Sequence, residues 1–395
     1  MSELDTQLDE LRDDLRAAIP PPDLSHVTGR ARQRTMRRRV LGAIAAVLVV
    51  SAAVPVLRSL PSGTQASELG TPTRSSYVVD FVDANHGYAL HGVCRGGADG
   101  CEFTLLATSD GGRTWQRREL PPPASRASNY FGSTLSVLSP DQIVIDRPPG
   151  PAWRDRRIYS TDGGRDWRVV EDWYSLETVA PVPANGLLTG ICGVDPVAGE
   201  CGDVGTILPS TGMTVRVPTQ PGLFSGRLGP EATSGGKLWV TGRNETLGWT
   251  IAVSGDGGRT WTTSALDVPG TPASGRWAVV ERNGVMYLTA GGADELLAVW
   301  RSTDDGVTWT RTWVGAGNNW LPSPAGYPVA AGDGSLIISD GKSTYVSTDQ
   351  GVTFRRTGDA VAGTIRWSRA GYLRSGSGGF ALSTDGLRWR SFEVR

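Results

Sequence analysis

The sequence is poor in lysine, histidine, cysteine and net charge. Lys237 and Lys342 are its only lysines, it has three histidines and four cysteines, and 39 basic residues face 40 acidic ones. A near-neutral chain without a basic stripe lacks the electrostatic footprint of a nucleic-acid binder. The cysteines fall as two close pairs, Cys94 with Cys101 and Cys192 with Cys201, and neither has the CxxC spacing of a structural zinc site. In an oxidising compartment such local pairs form disulfides across hairpins, with free thiols as the alternative. His86 and His91 lie near Cys94, but His86 precedes Gly87 in a turn. An odd separation puts His91 on the other face of any regular strand. No metal and no other cofactor is expected. Helical periodicity is missing too, throughout residues 76 to 395.

Only one long apolar run exists, Val40 to Leu57, eighteen residues without a charge. That is the lower limit for a bilayer-spanning helix. Arg30, Arg32, Arg34, Arg37, Arg38 and Arg39 precede it, and Arg58 alone follows directly. The positive-inside rule then places residues 1–39 in the cytoplasm and everything after the span outside. A cleaved secretory signal, with small residues near Ser51 and Ala53, is the competing expectation and would give a secreted chain. Residues 2–19 set Leu4, Leu8, Leu11, Leu15 and Ile19 on one stripe of an amphipathic helix, a candidate docking surface for a cytoplasmic partner. Residues 58–75, rich in Ser, Gly, Thr and Pro, are expected to be a flexible linker.

What the chain has in abundance is glycine, 52 of 395 residues, nearly twice the usual share of about 7%. Part of it recurs in one box. Thr108-Ser-Asp-Gly-Gly-Arg-Thr-Trp115 is echoed at residues 160–167, 254–261, 302–309 and 347–354, and in contracted form at 383–389. The central acids are Asp110, Asp162, Asp256, Asp304, Asp349 and Asp385, separated by 52, 94, 48, 45 and 36 residues. The aromatic positions are Trp115, Trp167, Trp261, Trp309 and Trp389, with Phe354 in the fifth copy. The gap of 94 is two periods. Cys101 lies nine residues before Asp110, and nine residues after Cys201 comes Ser210, so a decayed copy occupies Leu208 to Val215.

A second mark runs in step, a turn pair followed by an apolar run, as at Asn185-Gly186, Asn283-Gly284 and Asp333-Gly334. Such pairs between apolar runs signal tight hairpins. Each unit therefore reads strand, turn, strand, loop, strand, box, strand. Four strands in about 46 residues, repeated seven times, predict an all-β fold, a seven-bladed propeller of four-stranded blades over residues 76–395. The box explains itself as structure. Its Asp accepts backbone N–H groups two or three residues on, its Gly takes a conformation other residues resist, and its Trp packs between sheets.

These boxes resemble the Asp-box, or BNR, repeat of the sialidase-like propellers, and the resemblance covers residues 76–395. It implies the fold and leaves function open. A sialidase would hold a sialic acid carboxylate with three arginines, one of them in an Arg-Ile-Pro motif before the first box. Ser75-Ser-Tyr-Val-Val-Asp-Phe81 stands there instead. Arg227, Arg276 and Arg366 fall near the starts of inner strands and form a candidate ligand-binding set in the central funnel. The first blade, Phe81-Val-Asp-Ala-Asn-His-Gly-Tyr-Ala-Leu-His-Gly92, is similar to units of photosystem II stability/assembly-factor-like propellers. That similarity implies a non-catalytic binding or scaffold module for a protein or glycan of the cell envelope. The alternatives are a glycoside hydrolase of the exo-sialidase type and a transmembrane sensor acting through residues 2–19.

Overall fold

The structure, a computed structural model, describes residues 74–94, 101–121, 126–127, 133–146, 157–170, 174–179, 181–191, 203–228, 236–270, 272, 277–315, 320–357, 363–376 and 379–395. The expected helix 2–19, the Arg-rich stretch 30–39, the span 40–57, nearly all of the linker, and the pair Cys192 and Cys201 lie outside these residues. Among the described residues no helix is long and apolar enough to cross a membrane.

Seven sheets follow one another along the chain. Blade 1 is β1 (Arg74–Phe81), β2 (Gly87–Cys94), β3 (Cys101–Thr108) and β4 (Gln116–Arg118), with a short β5 (Arg126–Ala127) against β3. Blade 2 is β6 (Thr134–Val137), β7 (Ile143–Asp146), β8 (Arg157–Ser160) and β9 (Arg168–Val169). Blade 3 holds β10 (Tyr174–Thr178), β11 (Leu187–Ile191), β12 (Asp203–Ile207) and β13 (Thr214–Arg216). Blade 4 is β14 (Phe224–Leu228), β15 (Leu238–Asn244), β16 (Gly248–Ser254) and β17 (Thr262–Ala265). Blade 5 is β18 (Trp277–Arg282), β19 (Val285–Gly291), β20 (Leu296–Ser302) and β21 (Thr310–Val314). Blade 6 is β22 (Val329–Ala330), β23 (Leu336–Ser339), β24 (Thr344–Ser347) and β25 (Arg355–Arg356). Blade 7 is β26 (Thr364–Ser368), β27 (Gly371–Gly376), β28 (Gly379–Ser383) and β29 (Arg390–Phe392). Blades stack face to face, so their middle strands are buried on both sides. Leu296 to Trp300 in β20 is buried at every position, a continuous apolar run rather than an alternating one.

Blade 3 departs from the expected order. Its sheet runs β11-β12-β13-β10, and β10 pairs in parallel with β13 at the outer edge. The chain then reaches the turn at residues 184–186 along the box side, where Val182 N–H donates to Gly257 O at 2.9 Å. Pro181 and Pro183 account for this path. A residue without an N–H cannot serve in a central ladder, so the segment leading into β11 is a poor inner strand.

The boxes join the blades. In each one a glycine with φ between +71° and +88° faces the preceding blade. Gly164 meets Leu105, Gly258 meets Val217, Gly306 meets Val253, Gly351 meets Val299 and Gly386 meets Val329. Gly212, in the copy that lost its Asp, meets Tyr159 in the same way, which marks residues 208–215 as the seventh box. The ring closes by that device as well. Gly112 of blade 1 packs on Phe392 of blade 7, and Trp115 Nε1 donates to Glu393 O at 2.9 Å. Phe81 and Phe392 add an edge-on ring contact in a buried cluster with Val79, Leu373 and Leu382. First and last blades are each built from one continuous stretch, and side-chain packing rather than a shared sheet seals the seam.

Candidate functional site

The box acids are tied into their own turns. Asp256 Oδ1 accepts the N–H groups of Arg259 and Thr260 at 3.1 and 2.9 Å, and Oδ2 accepts the Thr260 hydroxyl at 2.7 Å. The bonded amides lie three and four residues on, one further than the sequence pattern suggests. Ser254 Oγ donates to Asp256 and accepts Gly258 N–H, which ties the strand end to the glycine. Asp110, Asp162, Asp304 and Asp349 repeat the scheme, and Asp385 does so in its contracted turn. These bonds favour the ionised form. Bonds from Thr260 hold Asp256 at about 2, and bonds from Thr308 hold Asp304 at about 2. Trp167 and Trp261 donate their indole N–H to carbonyls of the preceding blade, at Glu119 and Thr219. Cys94 and Cys101 form a disulfide across the β2–β3 hairpin. None of these groups converges on a common site.

The convergent groups lie at the centre of the ring. A cavity of about 210 Å³ is walled by residues of five blades on or beside the strands nearest the axis, among them Asp80, Val137, Leu187, Tyr327, Arg366 and Arg369. A second, of about 370 Å³, opens among the turns at the box side and includes Ala184, Gly236, Glu281, Arg282, Arg369, Tyr372 and Thr384. Trp367 and Arg369 belong to both walls, so the two spaces adjoin at the axis and are together called the axial channel. Arg369 of blade 7 reaches across to blade 3, where its Nη2 donates to Asn185 O and Gly186 O at 2.9 and 3.0 Å. Arg282 of blade 5 donates to Thr384 O at 2.8 Å. Arg366 donates to Val79 O across the seam between blades 7 and 1.

Asp80 is the acid at the heart of the smaller cavity. Its carboxylate accepts Phe81 N–H and Val137 N–H, both at 2.9 Å, and so links blade 1 to blade 2. Burial pushes this group up to about 6, against the pull of the two amides and of Arg366 and Arg369. Tyr372, on the wall of the larger cavity, donates its hydroxyl to Ala330 O and accepts Ala330 N–H. Burial raises it to about 12. Among the described residues Glu281 Oε2 lies buried with no hydrogen-bond partner.

Of the three arginines expected in the funnel, Arg366 lines the channel. Arg276 lies outside the described residues, and for Arg227 only the backbone of β14 is described. Sequence reasoning missed Arg282, Arg369 and Asp80. A signal existed for the two arginines, since each directly precedes a turn pair, Asn283-Gly284 or Ala370-Gly371. Arg282 is the last residue of β18 and Arg369 directly follows β26, so both stand where an inner strand gives way to its turn. Asp80 carries no such mark.

No protein-family model matches the chain, and no curated protein matches it in sequence. Solved structures do. YCF48 bound to D1 peptide is 15% identical over 82% of this chain and 82% of that one, with a TM-score of 0.34. Trypanosoma rangeli sialidase in complex with the inhibitor DANA is 13% identical over 79% of this chain and 53% of its own, with a TM-score of 0.34. A quinoprotein alcohol dehydrogenase-like protein from Bacteroides thetaiotaomicron is 11% identical over 72% and 66%, with a TM-score of 0.42. These likenesses transfer neither substrate nor partner, so function has to be read from this chain's own residues.

Proposed function

We propose that the chain is a membrane-anchored, extracytoplasmic Asp-box propeller that binds a protein or glycan of the cell envelope and catalyses no reaction. The observation that carries this reading is the channel's charge. Arg282, Arg366 and Arg369 stand on its walls against Asp80 and Glu281, a net cationic lining suited to carboxylates. Of its two tyrosines, Tyr372, the one in the cavity that holds Glu281, is arranged for structure rather than attack. The Tyr372 hydroxyl is held by both backbone groups of Ala330 and raised to about 12, so it ionises with difficulty near neutral pH. An exo-sialidase needs an activated Tyr–Glu pair, and no hydrogen bond joins Tyr372 to Glu281. The anchor rests on the eighteen uncharged residues at 40–57 and the arginines before them.

The test pairs activity with capture. The purified chain is expected to leave fluorogenic sialosides and a wide glycoside panel untouched, while cross-linking in intact cells recovers a specific envelope component. Sialoside turnover that Arg366→Ala abolishes would overturn the binding-module reading in favour of the glycosidase. External protease that spares the propeller in intact cells would overturn the topology.

A further inference from the structure

Among the described residues, blade 3 has no inner strand. In the six other blades the strand nearest the axis is the first of the blade and covers the inner edge of the second. In blade 3 the first strand, β10, lies at the far rim, and β11 is left at the axial end of the sheet with β12 as its single ladder partner. Among the described residues no backbone hydrogen bond reaches the other edge of Leu187 to Ile191. An open edge of this kind is a template for one more strand. The preceding segment is a poor candidate, because Pro181 and Pro183 lack N–H groups, and Val179 and Val182 donate elsewhere, to Arg216 and Gly257. The edge begins at the smaller axial cavity, which Leu187 lines together with Arg366 and Arg369 and the single acid Asp80.

We propose that the inner edge of β11 takes an extended acidic peptide of a partner protein as the inner strand that blade 3 lacks. Five residues of β11 offer the ladder, which is the length of an ordinary short strand. Acidic character follows from the two arginines, whose guanidinium groups favour carboxylates over ammonium groups at this wall. This inference rests on the binding-module reading and narrows its partner to a protein.

Amide hydrogen exchange coupled to peptide selection tests it. In the free chain, amides of Leu187–Ile191 on the open edge should exchange at least tenfold faster than those of β1 and β18. A displayed library of random nine-residue peptides is selected on the purified full chain, and the recovered peptides are the probes. They are expected to be rich in Asp and Glu, to slow exchange at residues 187–191, and to lose binding when alternate amides are N-methylated. Arg366→Ala should weaken them about tenfold, and Arg366→Lys, which keeps a charge and a donor at the seam, should weaken them less. Recovery of no peptide, of basic peptides, or of peptides that leave residues 187–191 unprotected overturns the proposal. Peptides protecting a different strand leave the binding module standing without this site, whereas glycoside turnover removes the module itself.

Discussion

Two sets of aspartates in this protein accept the same kind of bond and respond in opposite directions. The box acids at the C-terminal ends of the third strands take backbone N–H groups at the exposed rim, and those bonds hold them below the usual carboxylate range. Asp80 takes two backbone N–H groups in the axial channel, and burial lifts it to about 6 all the same. Water decides the difference. At the rim, solvent supports the charge and the hydrogen bonds add to it. On the axis, desolvation outweighs two amides and two arginines. The rim acids are fasteners of turns. The axial one is an acid whose charge is held against desolvation.

The contrast between the intact boxes and the decayed one can be broken hardest at Arg157. Box 208–215 has Ser210 where the others have Asp, and Gly212 N–H bonds to Leu208 O instead of to a hydroxyl. Arg157 of blade 2 supplies the missing fastening. It is 2% exposed, holds Asp146 through both oxygens, and donates to Gly212 O and Thr214 Oγ1 at 3.0 and 2.7 Å. Arg157→Ala should cost about 3 kcal/mol in urea unfolding, because it strands a partly buried carboxylate and two acceptors. A loss under about 1 kcal/mol would show that the decayed box stands without its neighbour's help.

Next in size is the pH response. A carboxyl whose folded value is raised binds its proton more tightly in the folded state, so its contribution is full at low pH. It is lost as pH rises from the ordinary 3.8 to about 6. The rise from 3.8 to about 6 is equivalent to about 3 kcal/mol at most. The box acids have the opposite sign, with stability present above 3.8 and lost as pH falls through about 2. Stability should therefore rise to about pH 4 and decline toward pH 6. Asp80→Asn should flatten the decline and leave the acid limb intact, as read by unfolding midpoints across pH 2 to 8. An unchanged slope above pH 4 would remove Asp80 from this role.

Smaller effects separate one box from another. Asp256→Ala should lower the melting temperature, whereas Ser210→Asp should raise it little, since Leu208 offers no hydroxyl to complete the network. The least change is expected at Gln350, which stands where three of the boxes have their first glycine and holds φ +66°. Gln350→Gly should stabilise by under about 1 kcal/mol, the strain of a left-handed residue less the extra freedom of glycine when unfolded.

Legibility followed periodicity. Seven boxes, their turn pairs and the Cys94–Cys101 hairpin were readable because each is set by residues a few positions apart. Even Ser210 was found, since register survives when chemistry decays. The order of strands in blade 3 was not readable. Tyr174 to Thr178 sits at the right distance for an inner strand, and only the path forced around Pro181 and Pro183 sends it to the rim. The channel was half legible. Arg366 was named from its place near a strand start, while Asp80, Arg282 and Arg369 are single residues without a repeat to mark them.

Local pattern alone, then, determined that this is an all-β ring of seven units, because turns, glycines and capping acids act over a handful of residues. The tertiary structure alone decided what meets at the axis, where Arg369 of blade 7 bonds Asn185 and Gly186 of blade 3. It also decided the state of Asp80, because burial comes from strands far apart in the chain and from the closing of the ring around them.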